Sequence, residues 1–504
     1  MKRVLMVSPH FPPDTSAGTH RVRLLAPHLA TFGWEPVIVT VDPRDYESRL
    51  DPGLAELVPS DLRVVRSRAW QVETTRRLGV GDLGLRAMRG LYQTCAELLR
   101  RERFDVLFIT IYPSYPALLG PMLKRRFGIP FVLDYQDPWV GSWGLTVGGG
   151  ANGQPDFKSR LSRFVATKLE PMAARAADAI TAVSAGTYEA IRERYAGFDD
   201  KLYLAIPLGG EPADFTQLRN QPRANPYFDP ADGLCHLCYV GTLLPLGFET
   251  LRALLKAAAL LKVRQPELYQ KLRLHFFGTS NQAIKIENFS STKPHEENTK
   301  ERKREREKEG IADGFSLSPS VTPSHHLREP SCAFVDEQIL EKLRVLPVAR
   351  EIGVADCVTE LAPRIDYLDA LTVQTQASAI LMLGSSERHY TASKLYPGLL
   401  AARPILALYH EASSVVEILR RAAKPPSVRV VTYGDSARAE SRVEAIYDEL
   451  AALVANPVYD PADVAMDEVK EFSAESLAGK LAEVFDGVRS SAFRRQARQL
   501  NATA

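Results

Sequence analysis

Apolar and polar positions alternate along the chain in two registers. Short, nearly continuous apolar runs at 4–7, 36–41, 105–110, 130–134 and 179–183 have the length and composition of strands buried on both faces. Between them lie stretches whose apolar residues recur every three or four positions. Val22, Leu24, Leu25 and Leu29 after the first run, and residues 157–177 before the fifth, suit one face of a helix. Strands alternating with helices predict a parallel, helix-covered sheet, one Rossmann-like domain over 1–206. Residues 207–232 are rich in Pro, Asn, Asp and Gly without sustained periodicity, and read as a linker. The pattern then restarts. Runs at 236–240, 272–277, 358–361, 379–383 and 405–408, with a helical stretch over 248–263, predict a second domain of the same class over 233–470. The expected fold class is α/β, with two Rossmann-like domains facing each other across a cleft.

Other segments depart from this rhythm. Residues 42–103 read as a long, Arg-rich, partly helical stretch without a further strand. Residues 281–335 include a wholly Lys, Arg and Glu run at 300–308 and a segment rich in Ser, Pro and His at 316–330. That composition buries too little apolar area to offset ordering entropy, so a disordered insertion is expected. Residues 471–490 read as a C-terminal helix, and 491–504 as a loose tail.

Composition narrows the function. The formal net charge of +2 argues against broad nucleic-acid binding. The charge is unevenly spread, because ten arginines lie between Arg63 and Arg103 against Glu73, Asp82, Glu97 and Glu102. A basic face follows, either a solvated surface or a contact for an anionic membrane or a phosphorylated acceptor. Cys235 and Cys238 lie in an apolar run, where residues three apart point to opposite faces; they read as core rather than as a metal or redox pair. The adjacent His325 and His326 read as solvent-exposed, and no metal site is expected. The most apolar window, 106–123, is broken by Pro113, Pro116 and Pro121 and does not span a membrane. The chain opens directly on a strand, leaving no room for a signal peptide. A cytoplasmic protein is expected, at most peripheral to the inner face of the membrane.

In a sheet of this kind ligands gather at the C-terminal ends of strands. After the first run comes a Pro-rich loop, Ser8 to Ser16, leading through Ala17 and Gly18 into a helix. Small residues at a strand-to-helix junction let an anion approach the amides. Asp134, Tyr135, Gln136, Asp137, Pro138 and Trp139 follow the run at 130 and set two carboxylates and an indole beside that loop. Ser184 to Gly186 follow the run at 179. Gly241 and Thr242, then Gly278 and Thr279, follow strands of the second domain. His389, Thr391, Ser393 and Lys394 precede a further helix. Amides, hydroxyls and a lysine facing carboxylates suit a nucleotide diphosphate. Neither G-x-G-x-x-G nor a P-loop is present, which removes the main support for dinucleotide redox chemistry or NTP hydrolysis.

These motifs together resemble the GT-B glycosyltransferases of family 4. The resemblance rests on the Phe11 to Gly18 loop, on 134–139, on Ala177 to Ser184, on Tyr239 to Leu243, and on Ser393 to Pro404. It implies transfer of a sugar from a nucleotide sugar with retention, no cofactor and no obligatory metal. The second domain would bind the donor and the first the acceptor, with the last helix crossing back onto the first domain. Gly18 matches a glycine near the donor diphosphate, Asp137 a catalytic-site carboxylate with Asp134 beside it, and Lys394 a lysine near the diphosphate. Gly241, Thr242 and Gly278 complete the expected donor site. The pattern also departs from the family. Pro397 stands where a ribose-binding glutamate is usual, before the turn Ala402, Arg403, Pro404. The partner glutamate position is His389, with Glu387 nearby as a substitute. The usual Arg and Lys after the first donor-domain strand are missing, with Thr242 and Pro245 in that region.

The expected function is therefore a retaining transferase of the hexosyl type, acting on a glycan or lipid-linked acceptor in polysaccharide or glycoconjugate assembly. The alternatives are a nucleotide-sugar epimerase of the same fold and a degenerate partner subunit. Replacing Gly18 by leucine is expected to abolish transfer while leaving the fold intact.

Overall fold

The computed structural model describes residues 1–77, 79–140, 157–195, 197–198, 201–243, 247–280, 343–385 and 394–503. Their strands form two parallel sheets. The first holds β1 (Lys2–Val7), β2 (Trp34–Val41), β3 (Arg63–Ser67), β4 (Val106–Ile111), β5 (Phe131–Tyr135), β6 (Ala179–Ala182) and β7 (Leu202–Ala205) in the order β3-β2-β1-β4-β5-β6-β7. The second holds β8 (Cys235–Val240), β9 (Leu272–Phe277), β10 (Val358–Leu361), β11 (Ala379–Leu383), β12 (Ile405–His410) and β13 (Val428–Tyr433) in the order β10-β9-β8-β11-β12-β13. The covering helices include α1 (Thr19–Leu25), α2 (Leu119–Phe127), α3 (Phe157–Ala176), α4 (Ala185–Arg194), α5 (Pro212–Asn220), α6 (Tyr367–Gln376), α7 (Leu395–Leu400) and α8 (Ala474–Thr503).

The strands absent from the sequence reading are β3, β7 and β13, and all three are sheet edges. An edge strand is covered less completely, so it needs no continuous apolar run. β3 carries an arginine at its exposed start and another at position four, and β7 is four residues long with an exposed leucine. Central β1 shows the opposite condition. Val4 and Met6 enter one core, Leu5 and Val7 the other, and all four are fully buried.

One of those cores is closed from the far end of the chain. Leu477, Leu481, Phe485 and Val488 recur at spacings of four, four and three along α8, and they pack with Val4, Met6, Trp34 and Phe108 of the first domain. Phe485 meets Trp34 and Phe108 edge-on, with ring centroids 5.2 and 5.7 Å apart. The helix continues to Thr503, through the stretch expected to be a loose tail. Residues 207–232 also hold more order than their composition suggests. α5 buries Phe215 and Leu218 in the second domain's core, a short period that Pro and Asn on either side obscure in the sequence. The expected insertion at 281–335 lies outside the described residues.

Strand order reverses direction between β1 and β4 in the first sheet and between β8 and β11 in the second. At such a switch point the connecting loops leave in opposite directions and open a crevice at the strand C-termini. The loops after β1 and β4, and after β8 and β11, are therefore the two places where the fold itself prepares a site.

Candidate functional site

At the first switch point the loop after β1 is organised by a buried carboxylate. Asp14 is fully buried; it lies 2.5 Å from His10 Nδ1 and accepts from Ser16 Oγ and Thr19 Oγ1, both at 3.1 Å, and from Ser48 Oγ. Burial alone would raise its pKa, but these contacts bring it below the usual carboxylate range. Gly18 enters α1 with ordinary helical φ and ψ of −61° and −24°. The need for glycine is steric, since a Cβ there would lie 2.6 Å from Tyr112 Cδ1. The space a side chain at position 18 would need belongs to the Tyr112 ring. Tyr112 follows β4 directly, and Asp137, Arg364 and Asp14 all act on its hydroxyl electrostatically.

The two carboxylates at the end of β5, Asp134 within the strand and Asp137 just beyond it, part company. Asp134 is fully buried, accepting from Arg21 Nε at 2.8 Å, Arg21 Nη2 at 2.6 Å and Thr181 Oγ1 at 2.7 Å. Arg21 also donates to the Ile206 carbonyl at 2.6 Å. This is a bidentate pair fastening α1 to β5 and to the chain leaving the sheet, and it withholds Asp134 from the cleft. Asp137 remains exposed, although desolvation by the surrounding protein raises its pKa. Its loop is fixed from behind. Arg194 Nη2 donates to the Val140 carbonyl at 2.7 Å, while Arg194 Nη1 and Tyr195 Oη each donate to the buried Glu170 at 2.7 Å. Trp139 meets Tyr115 edge-on at 5.8 Å.

At the second switch point β8 ends on Gly241, whose φ of +147° few side chains adopt. A Cβ there would fall 1.8 Å from Lys394 Nζ, so the lysine amine rests directly on the glycine. Lys394 also lies 5.8 Å from the centre of the Tyr239 ring. Burial, and secondarily the nearby Arg364 charge, push its pKa down to about 8. A narrow open hollow runs from Lys394 between β8, β11 and β12, with Gln374 as a further polar wall. A second, smaller one is lined by Thr242, Gly247, Gly384 and Ser385, and both share Tyr239 and Leu383. The Thr242 carbonyl accepts from Tyr239 Oη at 3.0 Å. Gly278, at φ +71° after β9, lies against Arg364, whose Cα would be 3.7 Å from a Cβ added to the glycine. His389 and Glu387 lie outside the described residues. Pro397 packs beside Gly210 of the chain joining the domains.

The two lips touch. Arg364 Nη1 donates to the Thr15 carbonyl at 2.9 Å. Arg23, buried on α1, holds Asp214 of α5 at 3.1 and 2.9 Å, and Tyr367 of α6 donates to the same carboxylate at 2.8 Å. The His20 ring lies tilted at 41° to that of Tyr367 with centroids 4.9 Å apart; burial first, then Arg23 and Arg364, depress its pKa to about 3 and keep it neutral.

The structure thus gathers Gly241, Thr242, Gly278 and Lys394 on one lip and Gly18 and Asp137 on the other, and it removes Asp134 to the interior. Sequence reasoning missed Arg364, Tyr112, Arg21 and Arg194. Arg364 and Tyr112 had a signal, since each follows a strand end. Arg21 and Arg194 had none, because only the tertiary pairing reveals their work. Part of the expected basic face at 63–103 is paired within the first domain. Arg63 pairs with Glu102, Arg68 with Asp45, Arg76 with Glu47 and Arg101 with Glu97, while Arg66 binds the Pro12 carbonyl and Arg86 is buried beside Glu47. Cys235 and Cys238 are buried free thiols. Among the described residues no three His, Cys, Asp or Glu side chains converge as a metal site, and no helix is long and apolar enough to cross a membrane.

Two parallel-sheet domains meeting at their switch points are the architecture of the GT-B glycosyltransferases. The chain aligns over 98% of its length with 98% of an α,α-trehalose-phosphate synthase (UDP-forming) from Burkholderia vietnamiensis, at TM-score 0.56 and 12% identity. It aligns over 96% with all of the corresponding Burkholderia xenovorans enzyme in complex with glucose-6-phosphate, at TM-score 0.54 and 9% identity. The Candida albicans trehalose-6-phosphate phosphatase N-terminal domain matches over 96% of this chain and 97% of that one, at TM-score 0.53 and 10% identity. Identities this low establish the fold. A comparison with curated protein sequences gives no match. Residues 17–209 match the glycosyl transferase 4-like domain. Over those residues the first domain is similar to that family.

Proposed function

We propose that the chain is a retaining glycosyltransferase that moves a sugar from a nucleoside-diphosphate sugar to a hydroxyl of a glycan or lipid-linked acceptor, in polysaccharide or glycoconjugate assembly, without a resident metal. The observation that carries this is the pair of cations on the donor-side lip, Lys394 at the switch point and Arg364 in the loop after β10, with Arg364 and Asp137 both acting on Tyr112 across the cleft. When the bond between the sugar and the diphosphate breaks, negative charge grows on the leaving diphosphate. A lysine already desolvated against Gly241 stabilises that charge without reorganising. Arg364 supplies a second positive charge where the sequence lacks the usual Arg and Lys pair. Asp137, exposed and with a raised pKa, would contact the sugar or the incoming hydroxyl. Gly278 and Thr242 would border the nucleotide.

A thermal-shift panel of UDP-, GDP-, ADP- and dTDP-sugars tests the donor half, since a ligand bound only by the folded state raises its stability. UDP-glucose belongs in it because two of the fold's neighbours are named as UDP-forming. The donor that raises the midpoint is then supplied with acceptors, and nucleoside diphosphate release and the anomeric configuration of the product are read. Turnover is expected to survive chelation by EDTA. If no donor shifts the midpoint and none is turned over, the reading is lost.

A further inference from the structure

The helix that follows the Asp137 loop presents a face that none of this chemistry uses. On α3, Leu161, Phe164 and Met172 are 51%, 61% and 60% exposed. With Lys168 they fall at spacings of three, four and four, a single stripe along the helix. The helix holds the sheet with small residues instead, Ala166, Ala173 and Ala174, all buried. Large apolar side chains thus face out while alanines face in, the reverse of what a helix covering a sheet requires.

The charges around the stripe have one sign. Over 160–176 the single carboxylate, Glu170, is fully buried under Arg194 and Tyr195. Arg160, Lys168 and Arg175 are exposed, and the Lys168 amine lies 5.8 Å from the Phe164 ring. The neighbouring α2, tied to α3 by Lys124 Nζ donating to the Ala176 carbonyl at 2.8 Å, adds Met122, 45% exposed, with exposed Arg125 and Arg126 and no acidic residue. An apolar stripe whose exposed charged neighbours on α2 and α3 are, among the described residues, all cations is complementary to the interface of an anionic bilayer. Its side chains enter the acyl boundary while lysine and arginine stems reach back to the headgroups. The position is equally specific. α3 connects parallel strands β5 and β6, so its first turns, with Leu161 and Phe164, start at the same sheet end as Asp137.

We propose that this face docks the first domain on an anionic lipid bilayer and turns the cleft mouth towards the surface, so that an acceptor carried by a lipid reaches the transfer site. The surface is distinct from the arginines of 63–103. Docking stands on the helix alone; its use in delivering the acceptor rests on the transferase reading above.

The full chain is sedimented with vesicles of phosphatidylcholine containing about 30% phosphatidylglycerol and with phosphatidylcholine alone. The expected result is binding to the anionic vesicles that weakens with added salt. A Leu161→Ser, Phe164→Ser, Met172→Ser variant, with its unfolding midpoint checked, should lose about tenfold or more in partition. A charge-reversed Arg160→Glu, Lys168→Glu variant should lose the preference for anionic lipid. The proposal is overturned if the chain ignores anionic vesicles, or if the triple variant binds them as the parent does. A parent dimer that ignores vesicles and that the triple variant converts to monomer also overturns it, by making the face a contact between copies. Donor-induced thermal shift, measured without vesicles, should be the same in parent and triple variant. Vesicle binding without any donor shift supports docking and removes the transferase reading; a donor shift without vesicle binding does the reverse.

Discussion

At the first switch point the buried carboxylates are matched inside the protein, Asp14 by His10 and three hydroxyls and Asp134 by Arg21 and Thr181, while Arg194 holds the Val140 carbonyl behind the exposed Asp137. At the second, an amine is buried against a glycine and an aromatic ring with its pKa lowered, beside open volume. The first lip uses buried ion pairs to fix the shape of a loop, and the second keeps a charge poorly solvated. A buried pair is strongly destabilised when one member is removed, whereas a buried charge that meets no carboxylate among the described residues is destabilising until an anion meets it. The contrast separates architecture from ligand binding, and it can be broken by mutation.

Asp134→Ala should give the largest effect. It leaves the Arg21 guanidinium buried and unpaired, which costs about 3–5 kcal/mol, read as a lowered denaturant midpoint. Turnover per folded molecule should stay within a few-fold of the parent. A variant of normal stability with no activity would instead return Asp134 to the catalytic centre. Lys394→Ala should do the opposite. Its midpoint should hold or rise, while kcat/KM falls by about 100-fold through lost stabilisation of the leaving diphosphate. Unchanged turnover would show that the second lip does not meet the donor.

The same division explains what the sequence disclosed. Central strands such as β1 and β4 are buried on both faces and announce themselves as apolar runs, while edge strands β3, β7 and β13 do not. Positions at strand ends were legible because the fold dictates where loops converge, and the structure sets Gly241, Lys394 and Asp137 near such ends. Pairings between distant segments were not. Arg21 lies 113 positions from Asp134, and nothing local in either residue shows that they meet. Gly18 was legible as a place where no side chain fits, but not as a place filled by Tyr112.

That last point yields a smaller effect. Gly18→Leu drives a side chain into the Tyr112 ring, and overpacking of this kind costs about 1–3 kcal/mol. The variant is thus expected to lose stability as well as transfer, in contrast to the sequence expectation of an intact fold. Tyr112→Ala in the same chain should restore part of the midpoint, and the double-mutant cycle measures the coupling. Additive losses would mean that the ring is not what excludes a side chain at position 18.

The smallest effect is the most specific to the second lip. Lys394 is held at about 8 against an ordinary 10.5, by burial first and Arg364 second. Between those values the unfolded chain binds the proton and the folded chain does not, so without donor its contribution to stability rises with pH across that window. Donor binding should move the other way, because the diphosphate is met by the ammonium and not by the amine. If only the protonated form binds, affinity falls about fourfold between about pH 7 and pH 8.5, and about tenfold for each unit beyond. Donor titrations across this range, with Lys394→Met as the reference, separate this from other ionisations, since methionine keeps the bulk against Gly241 and has no proton to lose. The reference variant should bind weakly and with a flat profile. A parent whose donor affinity is constant from about pH 7 to pH 9 would show that Lys394 props Gly241 and Tyr239 without touching phosphate, and both lips would then be architecture.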